Sequence, residues 1–233
     1  MAIDTKTQQR LEFLKKTDSR STADNRAYII REAVKTGETS WKKLGVTDDD
    51  ITRFVLEAYN RNAQWKLKDL KKVDSGSTAK DRVRDIKRII KTGATSWKKL
   101  GVTDDDITRF VLEAYNRNAQ WKLRDLKKTN NILTADSRAE DIRKIVKIKA
   151  ISWKELGVTD DDITKLVLEA HGRNAQEELE DLKRIDSGLA ADSRAKDIRN
   201  AVKEGTINWK ELGVTDDDIT KLVLEAQERE KKK

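Results

Sequence analysis

Thr47–Lys72, TDDDITRFVLEAYNRNAQWKLKDLKK, is the stretch that decides the fold. It returns almost unchanged at Thr103–Lys128, and in altered form from Thr159 and from Thr215. Thr47 suits a helix N-cap, and Asp48, Asp49 and Asp50 fill the first turn. There each carboxylate opposes the positive end of the helix dipole, a contribution of about 0.3–1 kcal/mol when exposed. Thr47 and Asp50 have capping-box spacing, and Val46 and Ile51 that of a hydrophobic staple. Ile51, Val55, Tyr59, Ala63, Leu67 and Leu70 then recur in steps of three and four, the period of one helix face. Phe54, Ala58 and Trp65 widen the apolar surface beyond one stripe, which predicts neighbours on more than one side. Lys71 and Lys72 close the stretch with charges that suit the negative end of the dipole.

Outward from this helix, the chain is a tandem repeat with a period of 56 residues. Trp41, Trp97, Trp153 and Trp209 mark the period, each inside a W-K-[KE]-L-G-V-T-D-D-D-I-T block, and read as core residues. Between Gly37–Lys72 and Gly93–Lys128 only Glu38/Ala94 and Lys68/Arg124 differ. Packing alone does not keep surface positions identical, so the units are recent duplicates or engineered copies. Each unit reads as three helices. In the second, one helix runs from about Thr78 to Lys91, with Val83, Ile86, Ile89 and Ile90 inward, and Gly93 is its C-terminal cap. A short helix starts from Ser96 and stops at Gly101, and the long helix runs from Thr103 to Lys128. Lys149 stands where the third unit should have the capping glycine, which predicts a different or extended helix end there. Glu155 and Glu211 complete capping boxes on the short helices of the third and fourth units.

The fold expected is all-α, four tandem three-helix repeats stacked as an α-solenoid or closed ring. Residues 1–16 form an N-terminal half-helix cap, with Leu11 and Leu14 in register with Leu67 and Leu70. Residues 17–72, 73–128 and 129–184 are repeats one to three, and 185–233 is a fourth whose final helix stops early, at Lys233. The likeness to α-helical solenoids is one of architecture and carries over no functional residue. The split terminal helices would allow ring closure or head-to-tail joining of copies.

Composition narrows the function. The chain of 233 residues has no Cys, which excludes disulfides and thiolate metal sites. No apolar run approaches the roughly 18 residues of a membrane span, and MAIDTKTQQR lacks a signal-peptide core. A soluble cytoplasmic protein without a membrane partner is therefore expected. The net charge of +8 hints at an anionic partner, but it is uneven: +2 for residues 1–16, +3 for 17–72, +6 for 73–128, −2 for 129–184 and −1 for 185–233.

No metal or cofactor site is expected. Consecutive helix residues point about 100° apart, so the Asp triplets do not converge on one ion. His171 is the single histidine; Tyr59, Tyr115 and Gln227 hold its place in the other units. With no nucleophile motif beside it, catalysis is not expected. Two binding surfaces remain. The aromatic and amide-rich stretch supplies Tyr59, Arg61 and Trp65, copied as Tyr115, Arg117 and Trp121, residue types that anchor protein interfaces. The bland alternative is that Trp65 and Trp121 pack on the next unit's first helix. A basic ladder forms the second surface: Arg26, Arg82, Arg138 and Arg194; Arg31, Lys87, Arg143 and Arg199; Lys35, Lys91, Lys147 and Lys203; and Lys42, Lys98, Lys154 and Lys210 on the short helices. Stacked units would make these rows able to follow a phosphate backbone. Asp85 near Arg88, and Glu57 four residues before Arg61, favour local ion pairing instead. The function expected is a non-enzymatic scaffold, natural or engineered, for protein binding or self-assembly; the alternative is a nucleic-acid-binding solenoid.

Overall fold

The computed structural model describes residues 5–232; residues 1–4 of the expected half-helix cap, and Lys233, lie outside them. Among the described residues there are thirteen helices and no strand. They are α1 (Thr5–Lys16), α2 (Arg20–Lys35), α3 (Trp41–Leu44), α4 (Asp48–Leu70), α5 (Gly76–Lys91), α6 (Trp97–Leu100), α7 (Asp104–Leu126), α8 (Ile132–Lys147), α9 (Trp153–Leu156), α10 (Asp160–Arg184), α11 (Gly188–Lys203), α12 (Trp209–Leu212) and α13 (Asp216–Lys231). A 16-residue helix, a four-residue helix and a long helix follow one another in the same order along the chain. The architecture is that of an all-α helical-repeat protein.

The local rules that define the ends are the ones the sequence announces. Thr47 caps α4: the Asp50 backbone N–H donates to Thr47 Oγ1, and the Thr47 N–H donates to Asp50 Oδ2 at 2.8 Å. Thr103, Thr159 and Thr215 make the same reciprocal pair with Asp106, Asp162 and Asp218. Glu155 and Glu211 close capping boxes on α9 and α12. Gly45, Gly101, Gly157 and Gly213 end the short helices in the left-handed conformation that glycine adopts without steric cost. Other boundaries differ from the sequence reading. Helix α5 begins at Gly76, two residues before Thr78, because Ser75 is its N-cap. Helices α4 and α7 stop at Leu70 and Leu126, short of Lys72 and Lys128.

Lys149 corrects an expectation. Helix α8 is neither extended nor differently ended: it has the 16 residues of α5, and Lys149 takes φ 57°, the left-handed conformation held elsewhere by glycine. The reversal of the chain before α9 fixes that backbone conformation, and the lysine accepts its steric cost.

The described residues fall into two compact units, divided between Tyr115 and Asn116. In the first, α1 packs on α2 and α4, α2 on α4, and α4 on α5. Leu11, Leu14, Ala23, Ala27, Ile30, Leu44, Ile51 and Ala58 form one core, flanked by the half-buried Trp41, Phe54 and Val55. Leu67, Leu70, Ala79, Ile86, Ile107 and Ala114 form the next, flanked by Trp97 and Phe110. In the second unit α8 packs on α10, α10 on α11 and α13, and α11 on α13. Its cores centre on Leu126, Ile142 and Ile163, and on Leu182, Ile198 and Ile219. Each fully buried Leu or Ile contributes roughly 1.5–3 kcal/mol. Trp41, Trp97, Trp153 and Trp209 line these cores half-buried instead of lying inside them.

Candidate functional site

The aromatic stretch of α4 divides into residues that hold the fold and residues left at the surface. Tyr59 is only 8% exposed, and its hydroxyl donates to Asp24 Oδ1 at 2.6 Å, with the Arg20 guanidinium 5.5 Å from its ring centre. Burial, then the bond to Asp24, pushes the phenol above its ordinary pKa. Arg61 reaches back to the end of α1: Nη2 donates to Lys15 O at 2.8 Å and to Thr17 O at 2.9 Å, and Nε donates to Thr17 O at 3.1 Å. Those carbonyls have no partner inside their own helix, so the guanidinium acts as a C-terminal cap. Its register mates repeat the device in the second unit, Arg173 to Thr129 O and Arg229 to Ile185 O, both at 2.9 Å. Arg61 therefore does not pair with Glu57, which turns instead to Arg53 at 3.9 Å.

Tyr115 is half-buried, with Lys80 Nζ 5.1 Å above its ring and Gly76 close beneath it: a Cβ built at Gly76 would lie 2.0 Å from Tyr115 Cε1. Glycine at the start of α5 is what lets the ring lie there. Arg117 is half-buried. Of the six sequence candidates, Trp65 and Trp121 are the ones that reach the surface, 48% and 46% exposed.

Both indoles are held by cations. The Arg82 guanidinium stands 5.3 Å from the Trp65 ring centre, and Lys66 Nζ 5.8 Å from it. Arg82 Nε donates to Asp69 Oδ2 at 2.6 Å and Lys66 Nζ to Asp85 Oδ2 at 2.7 Å. Burial alone would raise the Asp85 carboxyl, but the hydrogen bond and charge of Lys66, with Arg88 and Arg84, hold it below the ordinary carboxylate range. In the second unit Arg138 lies 4.7 Å from the Trp121 ring centre and donates to Asp125 at 2.8 Å, while Lys122 donates to Asp141 at 2.6 Å. Each Trp thus packs one side on an arginine of the following helix and leaves the rest to solvent. The contact with the next unit's first helix is a cation over a ring, with the indole left half in solvent.

The third copy of this position reverses its charge. Glu177 and Glu178 stand where Trp65–Lys66 and Trp121–Lys122 stand in α4 and α7. Glu178 accepts two bonds from Arg194 Nη1, at 2.8 and 2.6 Å, and Asp181 lies 3.6 Å from the same guanidinium. Glu178 holds that guanidinium above its ordinary pKa.

The basic ladder is largely occupied by partners. Arg31, Arg143 and Arg199 each donate from Nε to the first Asp of the following long helix, Asp48, Asp160 and Asp216, at 2.5–2.6 Å. Each also donates from Nη2 to a threonine one turn on, Thr52, Thr164 and Thr220. Lys87 meets Asp104 at 3.0 Å, and Lys35 meets Glu32 at 3.6 Å. Arg26 lies 5.6 Å from the Phe13 ring centre. Lys91, Lys147 and Lys203, with Lys42, Lys98, Lys154 and Lys210, remain exposed. So the first aspartate of each triplet pairs with the preceding helix and the third caps its own; no group of three acidic, His or Cys side chains suited to a metal ion occurs among the described residues.

Sequence reasoning missed two partnerships. His171 Nε2 lies 3.2 Å from Asp136 Oδ1, 35 residues away, in the register position of Tyr59 with Asp24. Arg61 and its mates act across 44 residues. The signal that could have found the first is the pairing of register positions: Asp24 with Tyr59, Lys80 with Tyr115, Asp136 with His171. No helix among the described residues is long and apolar enough to cross a membrane. Comparison with protein-family models, with curated proteins and with solved structures gave no significant match.

Proposed function

We propose that the chain is a non-enzymatic helical-repeat scaffold that binds protein, another molecule or its own kind, through the tryptophan faces of α4 and α7. The observation that carries this is the pair of half-exposed indoles, Trp65 and Trp121, each pinned by an arginine at a matching register. A pre-oriented aromatic with an adjacent guanidinium is the residue combination that dominates binding energy at interfaces. Its immobilisation before binding lowers the entropy lost on association. The non-catalytic reading is supported by the place of His171, which Tyr59, Tyr115 and Gln227 hold in the other units. The nucleic-acid alternative is weakened because nine of the ladder's charges already face carboxylates or a ring. Affinity capture with the wild-type chain and with Trp65→Ala/Trp121→Ala tests the proposal. Partners retained by the wild type and lost by the double variant support it; equal recovery overturns it. A gel shift at low salt tests the alternative, where binding that steepens as salt falls would restore the phosphate-track reading.

A further inference from the structure

We infer that the partner of the tryptophan faces is the acidic α10 surface of a second copy of this chain. The inference rests on the binding role proposed for Trp65 and Trp121 and names what they bind. Twelve-residue segments in the same register carry opposite characters. Arg61–Lys72 and Arg117–Lys128 each hold five cations, one carboxylate and the exposed indole. Arg173–Arg184 holds three cations and four carboxylates, with glutamate in place of the indole. One chain therefore carries both halves of a complementary pair, at equal concentration and on the same type of helix.

The acidic half is shaped to receive a side chain. Glu177, Glu178, Asp181, Asn130, Asn174 and Arg194 line an open groove of about 410 Å³. Glu178 is committed to Arg194 and Glu180 to Lys183, so Glu177, exposed at the rim with one long bond from Asn130, is the carboxylate available to a visitor. On the other half, Lys68 beside Trp65 and Arg124 beside Trp121 are exposed. Docking sets Lys68 or Arg124 against Glu177 while the indole's open side is covered. The two surfaces differ, so the contact is heterologous and propagates from copy to copy unless its rotation closes. Rim charge pairs of this kind act through long-range attraction, which salt screens within about 8 Å at physiological strength.

Sedimentation of the purified full-length chain over a wide concentration range, at low and high salt, tests this. The wild type is expected to gain mass above the 26.7 kDa chain as concentration rises, with an association constant that falls on the order of tenfold at high salt. Glu177→Lys and Lys68→Glu/Arg124→Glu, all exposed and outside the cores, should each sediment as single chains. Mixed together, they should associate again, because the charges now match in the opposite sense. A single-chain species at every concentration and salt overturns the inference. So does association that survives both charge reversals, or variants that fail to associate on mixing. If the chain stays single but Trp65 and Trp121 are still needed to capture another protein, this inference fails and the binding proposal stands. If capture is also indifferent to the indoles, both fail.

Discussion

Replacing Arg61 with alanine separates a partner anchor from a helix cap. Arg61 donates three N–H bonds to Lys15 O and Thr17 O, which end α1. A hydrogen bond from a charged donor contributes about 1.5–3 kcal/mol net, and loss of the donor leaves the carbonyls unpaired. The three bonds share one half-buried guanidinium and water can reach the vacated carbonyls, so the contributions do not add. The expected cost of Arg61→Ala is about 2–3 kcal/mol, felt first by α1. Arg61→Lys, whose ammonium cannot span both carbonyls, should recover roughly 1 kcal/mol of that. Because the chain forms two compact units, a single unfolding midpoint mixes both, and local exchange reports more directly. Hydrogen exchange of the α1 amides should accelerate roughly 30- to 150-fold, the range that 2–3 kcal/mol corresponds to. Helices α8 to α13 should not change. Exchange in α1 within about threefold of wild type, as for a surface substitution worth under about 0.5 kcal/mol, would refute the capping role and return Arg61 to the partner-binding surface.

Lys149→Gly should raise stability by about 1 kcal/mol, because glycine takes φ 57° without steric cost; an unchanged or lower urea midpoint would contradict it. Thr39→Val and Thr95→Val should each stabilise by about 1 kcal/mol: both hydroxyls are buried and meet no protein hydrogen-bond partner, and the register mates Ile151 and Ile207 are apolar. A loss in thermal unfolding would show that those hydroxyls have a partner. Asp50, Asp106, Asp162 and Asp218 are held below the ordinary aspartate range by hydrogen bonds from the backbone and hydroxyl of the capping threonine. A carboxyl with a depressed folded pKa stabilises fully above its unfolded value, so the capping contribution is complete above about pH 4 and is lost as pH falls through the lowered values. The unfolding midpoint should fall on acidification below pH 4, and less steeply when all four are Asn; an equal slope would remove the caps from the cause.

What the sequence disclosed was what neighbours in the chain decide. Thr47 with Asp50, Ser152 with Glu155 and Gly101 after Leu100 lie within one turn, so residue type and spacing settle their geometry. The inward face of α4 was legible for the same reason: Ile51, Tyr59, Ala63, Leu67 and Leu70 recur at the helix period and are buried. Lys149 was misread because its left-handed backbone is imposed by the turn into α9 and not by lysine. The candidate surface could not be divided into buried and exposed members from the chain alone, because a long helix does not announce which neighbour each polar group meets. Tyr59 and Trp65 look alike as interface anchors in a linear chain; one meets Asp24 of α2 and is buried, the other meets Arg82 of α5 and stays half in water.

The central claim is that Trp65 and Trp121 face outward to bind and contribute little to the fold. Measuring the unfolding midpoint and partner association on the same Trp65→Ala/Trp121→Ala protein tests it most directly. The account predicts a stability loss of no more than about 1 kcal/mol per site, the value of an exposed cation–π contact, together with loss of association. A loss of about 3–5 kcal/mol per site, as for a core tryptophan, or full association without the indoles, would contradict it.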